Sequence, residues 1–154
     1  MLDIVLGLFL GFWLTEIASY FLHRYLFHGV LWFIHKSHHQ AHEHALEHND
    51  VFSLFFACLS MGLIFSGSYG WLNSFWMWFG FGIATYGLLY FIIHVLMTHR
   101  RLIPLKARNY LTKLLSRAHL IHHQRHDKQG QEPFGLFLVH PEIMNRLKKR
   151  MQHH

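Results

Sequence analysis

Three long runs of apolar residues dominate the pattern of hydrophobic and polar positions along the chain. They cover residues 4–22, 51–67 and 71–97, and the only charged residue within them is Glu16. Because a helix needs about 20 apolar residues to cross the hydrocarbon core of a bilayer, each run predicts a membrane-spanning helix. Tyr69, between the second and third runs, and Trp71, Trp76 and Trp78, near the start of the third, are typical of a membrane interface.

The more polar tail predicts two further helices joined by a loop. Apolar residues recur at helical spacing over 109–124, whereas 127–135 contains Gly and Pro and predicts a loop. Pro141 suits the first turn of a last helix over 141–151, whose basic end we interpret as a membrane-surface face, with no nucleic-acid partner. The expected fold is all-α: an integral membrane helical protein with three to four transmembrane helices, in a single domain over 1–154.

Composition and charge support a membrane protein and predict its orientation. Hydrophobic residues make up 52% of the 154 residues and charged residues only 14%, against roughly 25% in a soluble domain. All 14 Lys and Arg lie in 23–50 or from Arg100 onward, which three spans would place on one side. The positive-inside rule predicts that this side faces the cytoplasm, in a multi-pass protein of the cell membrane. We interpret the first run as a span and not as a cleaved signal peptide, because it follows Asp3 rather than Lys or Arg.

Histidine is the unusual residue, with 17 copies against 14 Lys and Arg. Ten of them form a repeated pattern, in which His-x4-His is followed by His-x2-His-His, once after the first span and once from the end of the third. These ten predicted metal ligands are His23, His28, His35, His38, His39, His94, His99, His119, His122 and His123. Ten imidazoles suit two metal ions with four or five ligands each, and three spans deliver both halves to one side of the membrane. The other seven are interpreted as solvated side chains: His42, His44, His48, His126, His140, His153 and His154.

The two spacings have different consequences in a helix. Residues i, i+3 and i+4 share one face, so each His-x2-His-His group is expected to point one way. Residues five apart differ by about 140° around a straight α-helix, so an x4 pair is expected either to serve two ions or to lie across a helix end.

Ligand type leaves the metal open, since imidazole suits zinc, copper, iron and nickel. A structural zinc site usually includes cysteine, and the only one, Cys58, lies within a span. An all-imidazole pair of ions with open positions favours redox-active iron and oxygen chemistry.

The histidine groups and their surroundings resemble the membrane-bound fatty-acid hydroxylase and sterol desaturase superfamily, and within it the β-carotene 3-hydroxylases. The resemblance covers 16–139 and includes residues 49–50, 86–91 and 134–135, although Val95 stands where the family pattern has an acid. It implies an O₂-dependent monooxygenase with two non-haem iron ions, for which zinc can substitute in a preparation, and a ferredoxin-type electron donor. The implied reaction belongs to carotenoid biosynthesis and hydroxylates C3 of the β-ionone rings, turning β-carotene into β-cryptoxanthin and zeaxanthin.

Acidic residues are candidates to orient the imidazoles through their second nitrogen. Glu16, about two turns before His23, and Asp50 lead this group, with Glu43 and Glu47 beside them. Beyond the metal ligands, we expect no separate catalytic residue. Four aromatic residues of the spans are candidates for a groove that takes a long carotenoid or other lipid: Phe12, Trp13, Tyr90 and Phe91.

Two alternatives remain open. A fatty-acid or sterol hydroxylase or desaturase of the same superfamily would use the same metal centre on another substrate. A membrane metal-transport protein would need polar ligands deep within its spans, where the sequence has only His94, near the end of a span.

Overall fold

The computed structural model describes residues 1–40 and 46–152, and its regular structure in that part of the chain is entirely helical. Three helices are long and apolar enough to cross a membrane: Leu2–Val30, Asp50–Ser68 and Ser74–Thr98. They confirm the prediction of an all-α membrane protein with three spans. The first helix continues eight residues beyond its predicted run, through His23 and His28, whereas the third ends one residue beyond its run, at Thr98.

The helix type changes near the end of both the first and the third helix. Helix α1 (Leu2–Phe21) continues as the π-helical segment π1 (Leu22–Val30), and α4 (Ser74–Tyr90) continues as π2 (Phe91–Thr98). In a π-helix the backbone hydrogen bond joins residues five apart, and such segments are frequent at functional sites. Helix α3 (Asp50–Ser68) is α-helical throughout.

Helix α4 lies between α1 and α3 and packs against both, whereas the backbones of α1 and α3 stay apart within the described residues. Glycine allows the close approach at each interface. A Cβ on Gly11 of α1 would collide with the Phe79 carbonyl oxygen of α4, and a Cβ on Gly80 would lie 2.9 Å from the Ser60 carbonyl oxygen of α3. Small residues at these crossings are typical of membrane helices, since they bring backbones into van der Waals contact.

The remaining helices cover the end of the spans at which π1 and π2 lie. They are α2 (Trp32–His35), which leads into a 3₁₀ turn over Lys36–His39, α5 (Tyr110–His122) and α6 (Pro141–Gln152). Helices α5 and α6 match the predicted ranges within two residues, and α5 packs on both π2 and α6. Buried apolar residues form these contacts: Leu114, Ala118, Ile143 and Leu147 between α5 and α6, and Ile93 and Leu115 between π2 and α5.

Candidate metal centre

The ten patterned histidines lie at this covered end and form two groups of five. Within each group, one ring nitrogen from every residue lies within 4.8 Å of the others. Group one consists of His23, His28, His35, His39 and His122. Group two consists of His38, His94, His99, His119 and His123. Seven of the ten are buried and three are half-buried, so the groups are shielded from water.

The π-helical segments explain how both members of an x4 pair reach one group. His23 and His28 lie in π1 and both belong to group one, while His94 in π2 and the following His99 both belong to group two. The His99 backbone N–H donates to the His94 carbonyl at 3.0 Å, which is the five-residue bond of a π-helix. The expectation that such a pair serves two ions is wrong, because both members belong to one group. The other expectation, that a pair lies across a helix end, holds for His94 and His99, since π2 ends at Thr98.

Each His-x2-His-His group is divided between the two sites, contrary to the expectation that its members point one way. His35 and His39 belong to group one, but His38 between them belongs to group two. Conversely, His119 and His123 belong to group two, and His122 belongs to group one. The two halves of the chain therefore exchange one histidine each, and each group is completed only by a residue from the other half.

In group one, the Nδ1 atom of every ring is hydrogen-bonded to an oxygen acceptor. His23 bonds the Phe134 carbonyl at 2.7 Å, and His35 bonds Asn49 Oδ1 at 2.7 Å. The other acceptors are backbone carbonyls, of Lys128 for His28, Arg125 for His39 and Gln131 for His122. Since an oxygen can only accept, Nδ1 carries the proton and Nε2 presents its lone pair to the group.

Several Nε2 atoms lie closer together than expected for neutral nitrogens whose lone pairs face each other with no cation between them. His23 and His35 bring their Nε2 atoms to 3.0 Å, and His39 and His122 to 3.2 Å. In group two the corresponding distance between His38 and His94 is 3.1 Å. Two nitrogens bound about 2.1 Å from one ion at a right angle are about 3.0 Å apart, so this donor set fits a metal ion in each group.

Burial also keeps the imidazoles in the neutral form that binds metal. Desolvation lowers the pKa of His35 to about 3, of His39 to about 4 and of His122 to about 2. The same cause lowers the pKa of His38, His119 and His123, with neighbouring histidines adding to it. Lone pairs on these six rings are therefore available at neutral pH.

A loop supplies much of the hydrogen bonding around group one. The predicted loop over 127–135 contributes the carbonyls of Lys128, Gln131 and Phe134. Gly130 in this loop has φ +60°, and a Cβ there would lie 2.7 Å from the His28 ring. Only glycine fits both this backbone conformation and this approach.

Carboxylates occur on the side of group two. Glu47 Oε2 accepts a hydrogen bond from His38 Nδ1 at 2.8 Å, and its Oε1 lies 3.3 Å from Arg101 Nε. Arg101 in turn pairs with Asp50 at 2.5 Å. Asp50 was predicted to bond an imidazole directly. It instead pairs with Arg101 and accepts a hydrogen bond from the Glu47 backbone N–H at 2.9 Å.

Glu16 is fully buried, but its observed hydrogen bonds go to backbone and not to an imidazole. Its Oε1 accepts the N–H groups of Phe137 and Leu138 at 2.8 and 2.7 Å, while its Oε2 has no hydrogen bond within the described residues. A Cβ on Gly135 would lie 2.6 Å from this carboxylate. Glu16 thus holds the segment that contains Phe134, and the Phe134 carbonyl orients His23. Glu16 therefore acts on this ring indirectly, and not through the direct hydrogen bond that was predicted.

The seven remaining histidines lie outside both groups or outside the described residues. His48 and His140 are exposed, as is His126, whose Nδ1 bonds the His39 carbonyl at 2.7 Å. The residues that the structure does not describe are His42, His44, His153 and His154, together with the candidate acid Glu43.

A cavity of about 380 Å³ connects the membrane-spanning region to the histidines. It is lined by apolar residues of α3 and α4 and reaches His23 and His35 of group one and His38, His94 and His119 of group two. Between Phe52 and Ile64 it follows α3 for about 18 Å. Tyr90 and Phe91 line it as predicted, but Phe12 and Trp13 do not, since Phe12 packs against Tyr86 and Phe137.

Asn49 was not predicted as a hydrogen-bond partner of a histidine, and Glu47 was ranked below Asp50 as a candidate acid. The only signal in the sequence is that both residues lie shortly before α3 and after the first histidine groups. This position does not indicate which histidine ring each residue would bond. The carbonyl partners carry no signal at all, because any residue provides a carbonyl.

Two buried groups of five histidines, at the covered end of three apolar helices and beside an apolar cavity, define a membrane protein built around a histidine-bound metal centre. In agreement, residues 8–146 match the fatty acid hydroxylase family, and the chain belongs to that family.

Several relatives of the chain have names that are more specific than that of the family. The chain is 37% identical to a β-carotene hydroxylase of Paracoccus sp. (strain PC1), over 89% of this chain and 83% of the relative. It is 39% identical to a β-carotene hydroxylase of Pantoea ananas, over 82% and 71%. A chloroplastic β-carotene 3-hydroxylase of Arabidopsis thaliana is 36% identical, over 83% of this chain and 43% of the relative. No solved structure matches the chain.

Proposed function

We propose that the protein is a membrane-bound di-iron oxygenase that hydroxylates C3 of the β-ionone rings of β-carotene, giving β-cryptoxanthin and zeaxanthin. The observation that carries the proposal is the cavity, which brings an apolar channel to both histidine groups. Family membership supports a hydroxylase, and the relatives named above support a carotenoid substrate.

The ten histidines would hold two iron ions, five rings to each. When bound, the ions supply the activation of O₂ that insertion of oxygen into an unactivated C–H bond requires, since amino-acid acids and bases cannot do this alone. The side chains hold the ions in a buried, water-poor place and present them to the cavity. Zinc also accepts imidazole ligands and is expected to occupy the groups in some preparations.

The cavity would take one ring and part of the polyene of the substrate. Its volume lies within the range of small-molecule sites, and its walls are largely apolar. The two hydroxylations need the second ring to enter in its turn. Because the backbones of α1 and α3 stay apart within the described residues, and side chains of both helices line the cavity, the space between them would offer a lateral route from the bilayer.

The remaining partners and the location follow from charge. We propose a ferredoxin-type electron donor, and an orientation in which the basic, histidine-bearing side faces the cytoplasm in the cell membrane. The protein carries a net charge of +6, with all 14 Lys and Arg in 23–50 and from Arg100 onward. A basic face suits both the cytoplasmic side and an acidic donor protein. We propose that 1–154 acts as one domain.

Pigment analysis in a β-carotene-producing bacterium that lacks its own hydroxylase tests the function. The protein is expected to give β-cryptoxanthin and zeaxanthin. His38→Ala, which removes a ligand of group two, is expected to abolish conversion, while the exposed His140→Ala keeps it. Conversion that survives His38→Ala would separate the histidines from catalysis. If membranes that contain the protein modify a fatty-acyl substrate but give no xanthophyll, the alternative superfamily activity replaces this one.

A further inference from the structure

We propose that the two metal sites are inequivalent, and that Glu47 makes group two the site that holds its ion more tightly. The inference rests on the proposed function only in that both groups bind a metal ion. It concerns the acceptors behind the imidazoles, which set how strongly each ring donates to a metal.

Group one is surrounded by neutral acceptors. All five of its Nδ1 atoms bond to oxygens without formal charge, four of them backbone carbonyls and the fifth the side-chain amide of Asn49. Asp127, the acid that acts electrostatically on His28 and His39 of this group, is about half exposed and pairs with Arg125 at 3.2 Å. Group one would therefore bind its ion with neutral imidazoles, each of which is hydrogen-bonded to a neutral acceptor.

Group two has a buried carboxylate behind one ligand. The side chains of His38 and Glu47 are 1% and 4% exposed, and the His38 Nδ1–Glu47 Oε2 distance is 2.8 Å. Together Glu47, Asp50 and Arg101 carry one net negative charge beside this group. A carboxylate acceptor makes the imidazole a stronger donor, and charge-assisted hydrogen bonds are roughly twice as strong as neutral ones.

Three rings of group two work in the opposite direction, because their Nδ1 atoms have no hydrogen-bond partner within the described residues. His94 Nδ1 is buried without one, and its ring stacks on Tyr90 at 4.2 Å between centroids. His119 and His123 make contacts only through Nε2. The carboxylate outweighs these missing neutral bonds, because it adds both a charge-assisted bond and the attraction of a buried negative charge for the cation.

Chelator challenge of the iron-loaded, full-length protein in lipid nanodiscs tests the inference. Bound iron per chain is measured over time after an excess of a strong chelator is added. We expect two phases of equal size, the slower of which is the release from group two. A single rate constant for both ions would overturn the inequivalence.

Two isosteric variants assign the phases. Glu47→Gln removes the charge behind His38 and is expected to accelerate the slow phase about 10- to 100-fold, as loss of such partners does elsewhere. Asn49→Asp places a carboxylate behind His35 and is expected to slow the fast phase. Glu142→Gln, which changes an exposed acid in the first turn of α6, is the matched control and is expected to leave both phases unchanged.

The outcomes separate this inference from the proposed function. If Glu47→Gln accelerates both phases equally, or Asn49→Asp leaves the fast phase unchanged in a variant with wild-type circular dichroism, the inference is wrong. If the wild-type protein makes zeaxanthin and nevertheless releases both ions at one rate, the function stands without the inference. A purified protein that holds no metal contradicts both.

Discussion

At the scale of single residues, the second nitrogen of each ring decides how a histidine is used. In group one, hydrogen bonds to Nδ1 fix the tautomer and the plane of all five rings before a metal arrives. The cost of ordering these side chains is met during folding, so ion binding does not have to meet it. This arrangement favours a site of defined geometry over one that adapts to any metal.

Glu16 supports this arrangement from within the first span, and its replacement tests the support. Glu16→Ala leaves the Phe137 and Leu138 N–H groups without their acceptor, and each lost hydrogen bond costs about 0.5–1.5 kcal/mol. We expect a melting temperature several degrees lower and weaker iron retention, because the Phe134 carbonyl no longer holds His23 in place. Thermal unfolding and iron content of the purified protein measure both effects.

Glu16→Gln is the matched control, because the amide oxygen still accepts both N–H groups. It is expected to stay close to wild type in both measurements. A large loss in Glu16→Gln would mean that the charge itself matters, and not the hydrogen bonds to Phe137 and Leu138.

The sequence predicted the ten histidines but not how they divide. A spacing of i, i+3 and i+4 places three rings on one side of a helix, yet it does not say that the middle ring, His38 or His122, crosses to the other group. That choice depends on the docking of two halves of the chain, which lies beyond local periodicity. Glu47 was one of four candidate acids and does bond His38, but the sequence did not single it out, and Asn49 was not predicted. An acid or amide near a histidine in the sequence is common without contact.

At the scale of helices, the spans were predictable because apolar length alone determines them. The π-helical character of π1 and π2 was not, although the five-residue spacing of His23 and His28 is its signature in hindsight. Residues five apart meet only in a helix wider than the α-helix, and a prediction that assumes α-helical geometry excludes this solution.

Helix packing gives a prediction that is independent of the metal. A Cβ on Gly82 of α4 would lie 2.6 Å from the Leu8 carbonyl oxygen of α1, whereas a Cβ on Gly62 of α3 meets nothing within 4 Å. We expect Gly82→Ala to destabilise the protein by about 1–3 kcal/mol through overpacking, and Gly62→Ala to be neutral or slightly stabilising. Thermal unfolding in one detergent compares them, and equal effects would contradict the close contact of α1 and α4.

At the scale of the whole molecule, bound metal would join all parts of the chain that face the covered end. Group one alone takes ligands from π1, α2, the 3₁₀ turn and α5. Anything that binds only the folded state stabilises it, so removal of the metal should have a large effect.

We expect chelation to lower the melting temperature by more than any single substitution above. Protease cleavage should appear first in residues 99–109 and 123–140, which connect π2, α5 and α6. The three apolar helices should keep their circular dichroism signal, because the bilayer and the contacts of α4 hold them. Unchanged protease resistance after complete metal loss, measured in nanodiscs, would show that the ions do not stabilise the covered end.

Orientation in the membrane is a second prediction at this scale. A green fluorescent protein fused after Gln152 should fluoresce in the cytoplasm, and alkaline phosphatase at the same place should be inactive, since the positive charges favour the inner side. The same reporters in the turn at Gly70, between α3 and α4, should give the opposite result. Active phosphatase at Gln152 would reverse the proposed orientation.

The exchange of His38 and His122 imposes an order on how the protein matures. A nascent chain that has emerged only as far as α3 offers four rings of group one and a single ring of group two, and neither set of five is complete. A metal ion would therefore find a complete set of five ligands only once α4 has been inserted and α5 has been synthesised. A redox-active ion would thus have no finished binding site on an incomplete or misinserted chain.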